Sequence, residues 1–81
     1  MAKFIKISRY RGLWITNGVK HTLDVNETSF ATQYFNADYI FAITPYKGPI
    51  AEVHSVIAVH GNFIIYCKET PEEIIKLIYQ N

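Results

Sequence analysis

The chain has a single cysteine, Cys67, and only 19% of its 81 residues are charged. One thiol excludes an internal disulfide and any zinc site built from several cysteines. Because Cys67 lies within an apolar run, we interpret it as a small buried hydrophobic residue and not as a reactive thiol. The net charge of +1 supplies no general electrostatic attraction for nucleic acid or for an anionic membrane.

Long apolar segments are also missing. No run approaches the roughly 18 consecutive apolar residues of a membrane span, and basic residues interrupt the N-terminal stretch that could otherwise form the apolar part of a secretory signal. We therefore expect a cytoplasmic protein with no membrane partner. The four glycines stand apart from one another, so the sequence has no glycine-rich phosphate loop.

Side chains suited to catalysis or metal binding are not grouped in the sequence. His54 and His60 share a predicted strand, but six residues of extended chain separate them by about 20 Å. Glu72 and Glu73 are adjacent at a predicted helix start, where their charges favour the helix without any chemistry. Cys67 has no base next to it that would activate a thiolate. We expect no catalytic residues, no metal and no cofactor, and hence a protein that is not an enzyme.

The first third of the chain predicts strands. Alternation of apolar and polar residues over Phe4–Tyr10 indicates a half-buried strand that ends at Gly12. The Asn17-Gly18 dipeptide between two apolar runs predicts a type I′ hairpin, with Thr16 opposite Val19 and Trp14 stacked against His21. Beyond it, residues 26–29 indicate a loop, while residues 30–35 are compatible with either a short strand or a helical turn.

The rest of the chain predicts three strands and a helix. The strands cover residues 39–44, 53–59 and 63–68, and the last two form a hairpin around Gly61. Thr70 as N-cap, Pro71 at the first helical position and Glu73 at the third predict a capped helix that ends near Tyr79. The expected fold is α+β, a mostly antiparallel sheet of four to six strands with one C-terminal helix.

Several of these segments resemble the FlbD/SwrD-like family of small bacterial proteins. The similar stretches are Phe4–Arg9, Asn36–Ile43, Ser55–Ile57 with Gly61, and Glu69–Ile78. The resemblance implies the same β-β-α ending and brings no catalytic residues with it. The connection over residues 12–34 is longer than is usual in the family, so we expect one domain over residues 1–81 with a hairpin inserted at about residues 12–25.

The apolar content predicts contacts with another protein. The chain is 49% hydrophobic and 15% aromatic, more than a small domain is expected to bury. The later strands are apolar on both faces, and one nine-residue helix can cover only one of them. We therefore expect a homo-oligomer or an accessory of a larger assembly, unless the segment over residues 12–35 covers the open face. The predicted partner surface comprises Tyr39, Phe41, Ile64 and Tyr66.

The alternative function is nucleic-acid binding by a regulator. Basic and aromatic side chains are interleaved near the N-terminus, as single-stranded nucleic acid requires. The residues concerned are Lys3, Lys6, Arg9, Tyr10, Arg11 and Trp14. Strand parity places Lys6 and Arg9 on opposite faces, which divides this patch. A solvated edge strand that resists aggregation explains the same residues more simply.

Overall fold

The computed structural model describes residues 3–23 and 29–80, and it confirms the α+β fold. In this part of the chain, six strands form one sheet in which every pairing is antiparallel, and a single α-helix follows them. The elements are β1 (Phe4–Thr16), β2 (Val19–Thr22), β3 (Phe30–Asn36), β4 (Ile40–Pro45), β5 (Ser55–Val59), β6 (Phe63–Cys67) and α1 (Pro71–Tyr79). The strand order is β2-β1-β6-β5-β4, and β3 also pairs with β1.

The predicted hairpin between β1 and β2 is confirmed, including its register. Trp14 lies opposite His21 and Thr16 opposite Val19. Asn17 and Gly18 both have positive φ angles, 51° and 79°, as a type I′ turn requires. The rings of Trp14 and His21 stack with centroids 5.3 Å apart and planes inclined by 17°.

The prediction that the first strand ends at Gly12 is wrong, because β1 continues to Thr16. Its register against β6 shifts between Arg9 and Trp14, so the strand is irregular there without being interrupted. A Cβ atom at Gly12 would lie only 2.6 Å from the Tyr10 hydroxyl oxygen. Glycine therefore lets the Tyr10 side chain approach the backbone within a continuing strand.

The ambiguous segment after the hairpin is a strand. β3 pairs with the first half of β1, with Ile7 opposite Gln33, while β2 pairs with the second half. The predicted loop over residues 26–29 lies, apart from Ser29, outside the described residues. The strand predicted to begin at residue 39 begins one residue later, at Ile40, because Ala37–Tyr39 forms a 3₁₀ turn. In this turn the Asp38 amide donates to the Asn36 side chain at 3.0 Å.

The core lies between one face of the sheet and α1. Ile5, Ile7, Ile57 and Cys67 from the strands pack with Ile74 of the helix, and all five side chains are buried. These strand residues share one face because alternate side chains of a strand point the same way. We call this side of the sheet the helix face.

The predicted capping box starts α1. The Glu73 amide donates to Thr70 Oγ1 at 3.2 Å, and the Thr70 amide donates to Glu73 Oε1 at 2.8 Å. The hydrogen bond from the Thr70 amide lowers the pKa of the Glu73 carboxyl, because it favours the charged form. The ionised form of Glu73 is therefore the one that this cap favours.

Candidate functional site

The face of the sheet opposite α1, which we call the open face, carries an apolar groove. Ile15, Ile64 and Ala58 lie opposite one another on neighbouring strands. They alternate with helix-face residues such as Ile57, so they point away from the helix. The groove has a volume of about 410 Å³, and Phe41 also lines it. Ala58 contributes little side-chain volume, and its small size leaves the hollow between larger neighbours.

Two turns form one end of this groove. Asn17 belongs to the β1–β2 turn and Asn62 to the β5–β6 turn, and both residues line the groove. Sequence reasoning identified both turns but not their proximity. That proximity follows from the pairing of β1 with β6, which sets Thr16 opposite Phe63.

Phe41 lies where β4 is irregular. The register of β4 against β5 shifts between Ile40 and Ala42, so Phe41 falls in a bulge. Its side chain is 63% exposed. Its ring contacts the His60 ring at a centroid distance of 5.2 Å, and the Tyr39 ring meets the same histidine edge-on at 6.3 Å. His60 thus joins two exposed aromatic side chains at this end of the sheet.

A loop covers Tyr66, at another part of the open face. The Tyr46 ring packs edge-on against the Tyr66 ring at 5.6 Å, and Tyr66 is half-buried. Of the predicted partner surface, Phe41 and Ile64 line the groove and Tyr39 lies beside it across His60. Tyr66 lies apart from them, in contact with Tyr46. The sequence gave no signal that Tyr46 packs on the sheet.

The segment proposed to close the open face does not cover the groove in the described residues. β2 and β3 pair edge to edge with β1, so residues 19–22 and 30–36 widen the sheet. Residues 24–28 lie outside the described part of the chain.

The basic and aromatic residues near the N-terminus are divided between the two faces, as parity predicts. Arg9 lies opposite the helix-face residue Cys67, whereas Lys6 and Tyr10 alternate with the buried Ile5 and Ile7 and therefore point to the open face. Trp14 is opposite the buried Ile65. The structure does not bring the six residues together into one surface.

Two of these cations, Lys3 and Arg11, make hydrogen bonds within the protein. The Lys3 ammonium donates to the carbonyl oxygen of Ile78 at 2.9 Å and also to that of Gln80, at the C-terminal end of α1. Arg11 donates to the Ser29 hydroxyl at 3.1 Å. The Nε atom of Arg9 is buried and has no hydrogen-bond partner among the described residues. Lys3 and Arg11 would have to exchange these bonds for bonds to phosphate.

Cys67 and His54 could in principle take part in catalysis or metal binding, but their surroundings explain them as parts of the fold. Cys67 is fully buried, and burial, together with the nearby Glu69 charge, raises the pKa of its thiol to about 12. The His54 Nδ1 donates to the Lys68 carbonyl at 2.7 Å. Among residues 3–23 and 29–80, no group of three or more His, Cys, Asp or Glu side chains is placed to hold a metal ion.

No family model, curated protein or solved structure matches the chain. The resemblance to the FlbD/SwrD-like family therefore stays a hypothesis. In the described part of the chain, no helix has the length and apolar character needed to cross a bilayer.

Proposed function

We propose that the protein acts without catalysis of its own, through protein–protein contacts, and that its first partner is a second copy of itself. Cytoplasmic location and a place in a larger assembly belong to the same proposal. One observation carries it: the apolar groove of the open face continues into the exposed Phe41 side chain at the sheet edge. A groove with an apolar floor and a neighbouring exposed aromatic ring is typical of interaction surfaces.

The energetic argument concerns Phe41 and the residues around it. Leaving a side chain of this size in water forgoes roughly 1.5–3 kcal/mol of burial. Small domains have only about 5–10 kcal/mol of total stability. Tyr39, Phe41 and Phe63 are 56%, 63% and 45% exposed at one end of the sheet. Association with a second copy would bury this surface, which stays in contact with water in the single chain.

Tyr34 offers a matched control for Phe41. Both are aromatic residues on strands, and they are 61% and 63% exposed. Tyr34 belongs to β3, whereas Phe41 lies on β4 at the end of the strand order. A glutamate at either position adds one charge at a comparably exposed site, but only Phe41 belongs to the proposed contact.

The test is the mass of the protein in solution by light scattering over a tenfold range of low micromolar concentration. We expect a dimer for the wild type and for Tyr34→Glu. Phe41→Glu should raise the dissociation constant by about 30-fold or more, which corresponds to the loss of about 2 kcal/mol at a central interface position. A wild-type chain that stays monomeric over the whole range contradicts the proposal.

Nucleic-acid binding remains the alternative, and salt dependence separates the two functions. Binding through Lys3, Lys6, Arg9, Arg11 and the nearby rings would weaken steeply as salt replaces released counterions. Apolar self-association would not weaken in this way. Retention on a single-stranded DNA column at moderate salt, abolished at high salt, would favour the alternative. The division of these residues between two faces is the reason that it is the weaker candidate.

A further inference from the structure

Strand β4 is an edge of the sheet, and its composition is unusual for an exposed edge. Its sequence, Ile40-Phe-Ala-Ile-Thr-Pro45, contains no charged side chain. Edge strands of monomeric proteins commonly use charges, prolines or bulges to prevent pairing with another chain, and β4 has a proline at its end and a bulge at Phe41 but no charge. Within residues 3–23 and 29–80, β5 is the one strand that pairs with β4. The side of β4 that faces away from β5 is therefore available for a further strand.

The hydrogen bonds of β4 alternate between β5 and the outer side. The Tyr46 amide donates to the His54 carbonyl at 3.1 Å, in register with the pairs Thr44–Val56 and Ala42–Ala58. Alternation in an antiparallel ladder therefore directs the N–H and C=O groups of Thr44 and Ala42 inward, and those of Ile43 outward. Pro45 falls in the outward set, where an edge strand tolerates proline because no ladder bond is lost.

This alternation leaves Ile43 as the centre of the available edge. Pro45 has no N–H to donate, and the bulge at Phe41 disturbs the other end of the strand. Ile43 alone in β4 offers both an outward N–H and an outward C=O from regular strand geometry. When two antiparallel strands meet at Ile43 of each copy, both groups of both residues are satisfied at the two-fold axis.

Side chains of α1 extend the same edge on the helix face. Ile75 and Tyr79 are 45% and 79% exposed. Together with Ile40, Phe41, Ile43 and Ile78 they line a groove of about 530 Å³ between the helix and β4. Ile40, Ile43 and Ile78 also pack against the core, whereas Ile75 and Tyr79 are not among the residues that do so.

The area fits a second copy better than a single added strand. Tyr39, Phe41, Ile75 and Tyr79 expose on the order of 450 Å² of side chain, given about 150–250 Å² for each aromatic residue. A standard interface buries about 800 Å² per partner, so these residues and the edge strand together supply most of that area. A lone peptide strand would cover β4 but would leave Ile75 and Tyr79 in water. A second copy brings its own α1 to that side.

We infer that two copies pair through β4 in antiparallel register about Ile43, so that the two sheets become continuous and the two α1 helices meet across the axis. The inference rests on the proposed self-association and assigns it to the β4 edge, where Phe41 lines both the open-face groove and the groove beside α1. In this register Ala42 of one copy faces Thr44 of the other as a non-hydrogen-bonded pair, with Cα atoms about 4.5 Å apart. The Ala42 residues of the two copies lie about 8 Å apart.

Disulfide trapping tests this register with Ala42→Cys and Thr44→Cys, both at exposed positions. A disulfide requires Cα atoms about 4.4–6.8 Å apart. Under oxidised glutathione, an equimolar mixture of the two variants should therefore cross-link on the order of tenfold more than either variant alone. The native Cys67 is fully buried and should not contribute. Circular dichroism and light scattering should show both reduced variants folded and dimeric.

The outcomes separate this inference from the broader proposal. A dimer in which the mixture and the single variants cross-link equally, or not at all, overturns the β4 register and leaves self-association intact. Monomeric chains under all conditions overturn both. In the dimer, the Ile43 amide should also be protected from hydrogen exchange, and it should lose that protection in Phe41→Glu. An Ile43 amide that exchanges freely in the dimer contradicts the register independently.

Discussion

The Asn17 amide donates to the Asn62 carbonyl at 2.9 Å, and this bond joins the turn of one hairpin to the turn of another. The Asn62 side-chain amide also donates to Asn17 Oδ1 at 3.3 Å. Both asparagines have positive φ angles, 51° and 63°, and each is next to a glycine with positive φ. The left-handed backbone therefore shapes both turns and the end of the apolar groove that they line.

Gly18 is the position where this turn geometry can be tested. Its φ is 79°, and a Cβ atom there would meet no neighbour within 4 Å, so a substitution costs backbone strain and not a clash. We expect Gly18→Val to lower the free energy of unfolding by about 1–2 kcal/mol or more, and Gly18→Asn by less, because asparagine tolerates positive φ better than a β-branched residue. Chemical denaturation measures both. Equal losses would show that positive φ at residue 18 is not required.

Thr70 and Glu73 form a second local unit whose contribution can be measured. Thr70→Ala removes the acceptor for the Glu73 amide and should destabilise the protein by about 1 kcal/mol. The lowered pKa of Glu73 means that its contribution is full above the ordinary carboxyl pKa of 4.5 and is lost as pH falls through the lower value of the folded state. Glu73→Gln should therefore flatten the acid side of the stability profile. The neighbouring Glu72→Gln is the control, and an identical flattening there would contradict the assignment.

Local signals predicted much of the fold correctly. The Asn17-Gly18 hairpin and the capped helix depend on a few adjacent residues, and both are present with the expected register and cap. The predicted end of β1 is wrong because a glycine can either end a strand or lie within a continuing one. Gly12 could have closed the strand, but the Tyr10 side chain lies over it instead. That choice depends on packing, which periodicity does not encode.

The candidate surface was only partly predictable. The sequence predicted Phe41 and Ile64 as surface residues because strands that are apolar on both faces leave one face to be covered. The groove itself needed the pairing of β1 with β6, which brings together turns 45 residues apart. The contact of Tyr46 with Tyr66 likewise joins distant parts of the chain. The sequence gave no local signal for either arrangement.

Cys67 should be unreactive in the folded protein. The rise of its pKa from 9.0 to about 12 lowers the thiolate fraction near pH 8 by about 10³. Iodoacetamide should therefore modify the native chain far more slowly than the chain in guanidinium. The thiol also favours the folded state fully below pH 9.0, and this contribution declines as pH rises towards 12. Thr32→Cys, at an exposed position of β3, supplies a reactive thiol as control. Modification of Cys67 at the same rate would contradict its burial.

Glu69 makes a contact with the backbone of β1 that we expect to stabilise the fold. The Ser8 amide donates to both oxygens of the Glu69 carboxylate at 3.0 Å, while the Ser8 carbonyl accepts from the Lys68 amide at 3.0 Å. The carboxylate thus takes the place of a ladder carbonyl where β6 has ended. The Glu69 carbonyl in turn accepts from the buried Ser55 hydroxyl.

Glu69→Ala should leave the Ser8 amide without an acceptor in this half-buried position. The expected loss is about 1–3 kcal/mol in the free energy of unfolding. Glu69→Gln keeps one side-chain oxygen as an acceptor and should cost clearly less. Denaturation midpoints measure the two losses, and hydrogen exchange at the Ser8 amide identifies their origin. If Ala and Gln cost the same and the Ser8 amide stays protected in both, the backbone and not the carboxylate holds β1 at this point.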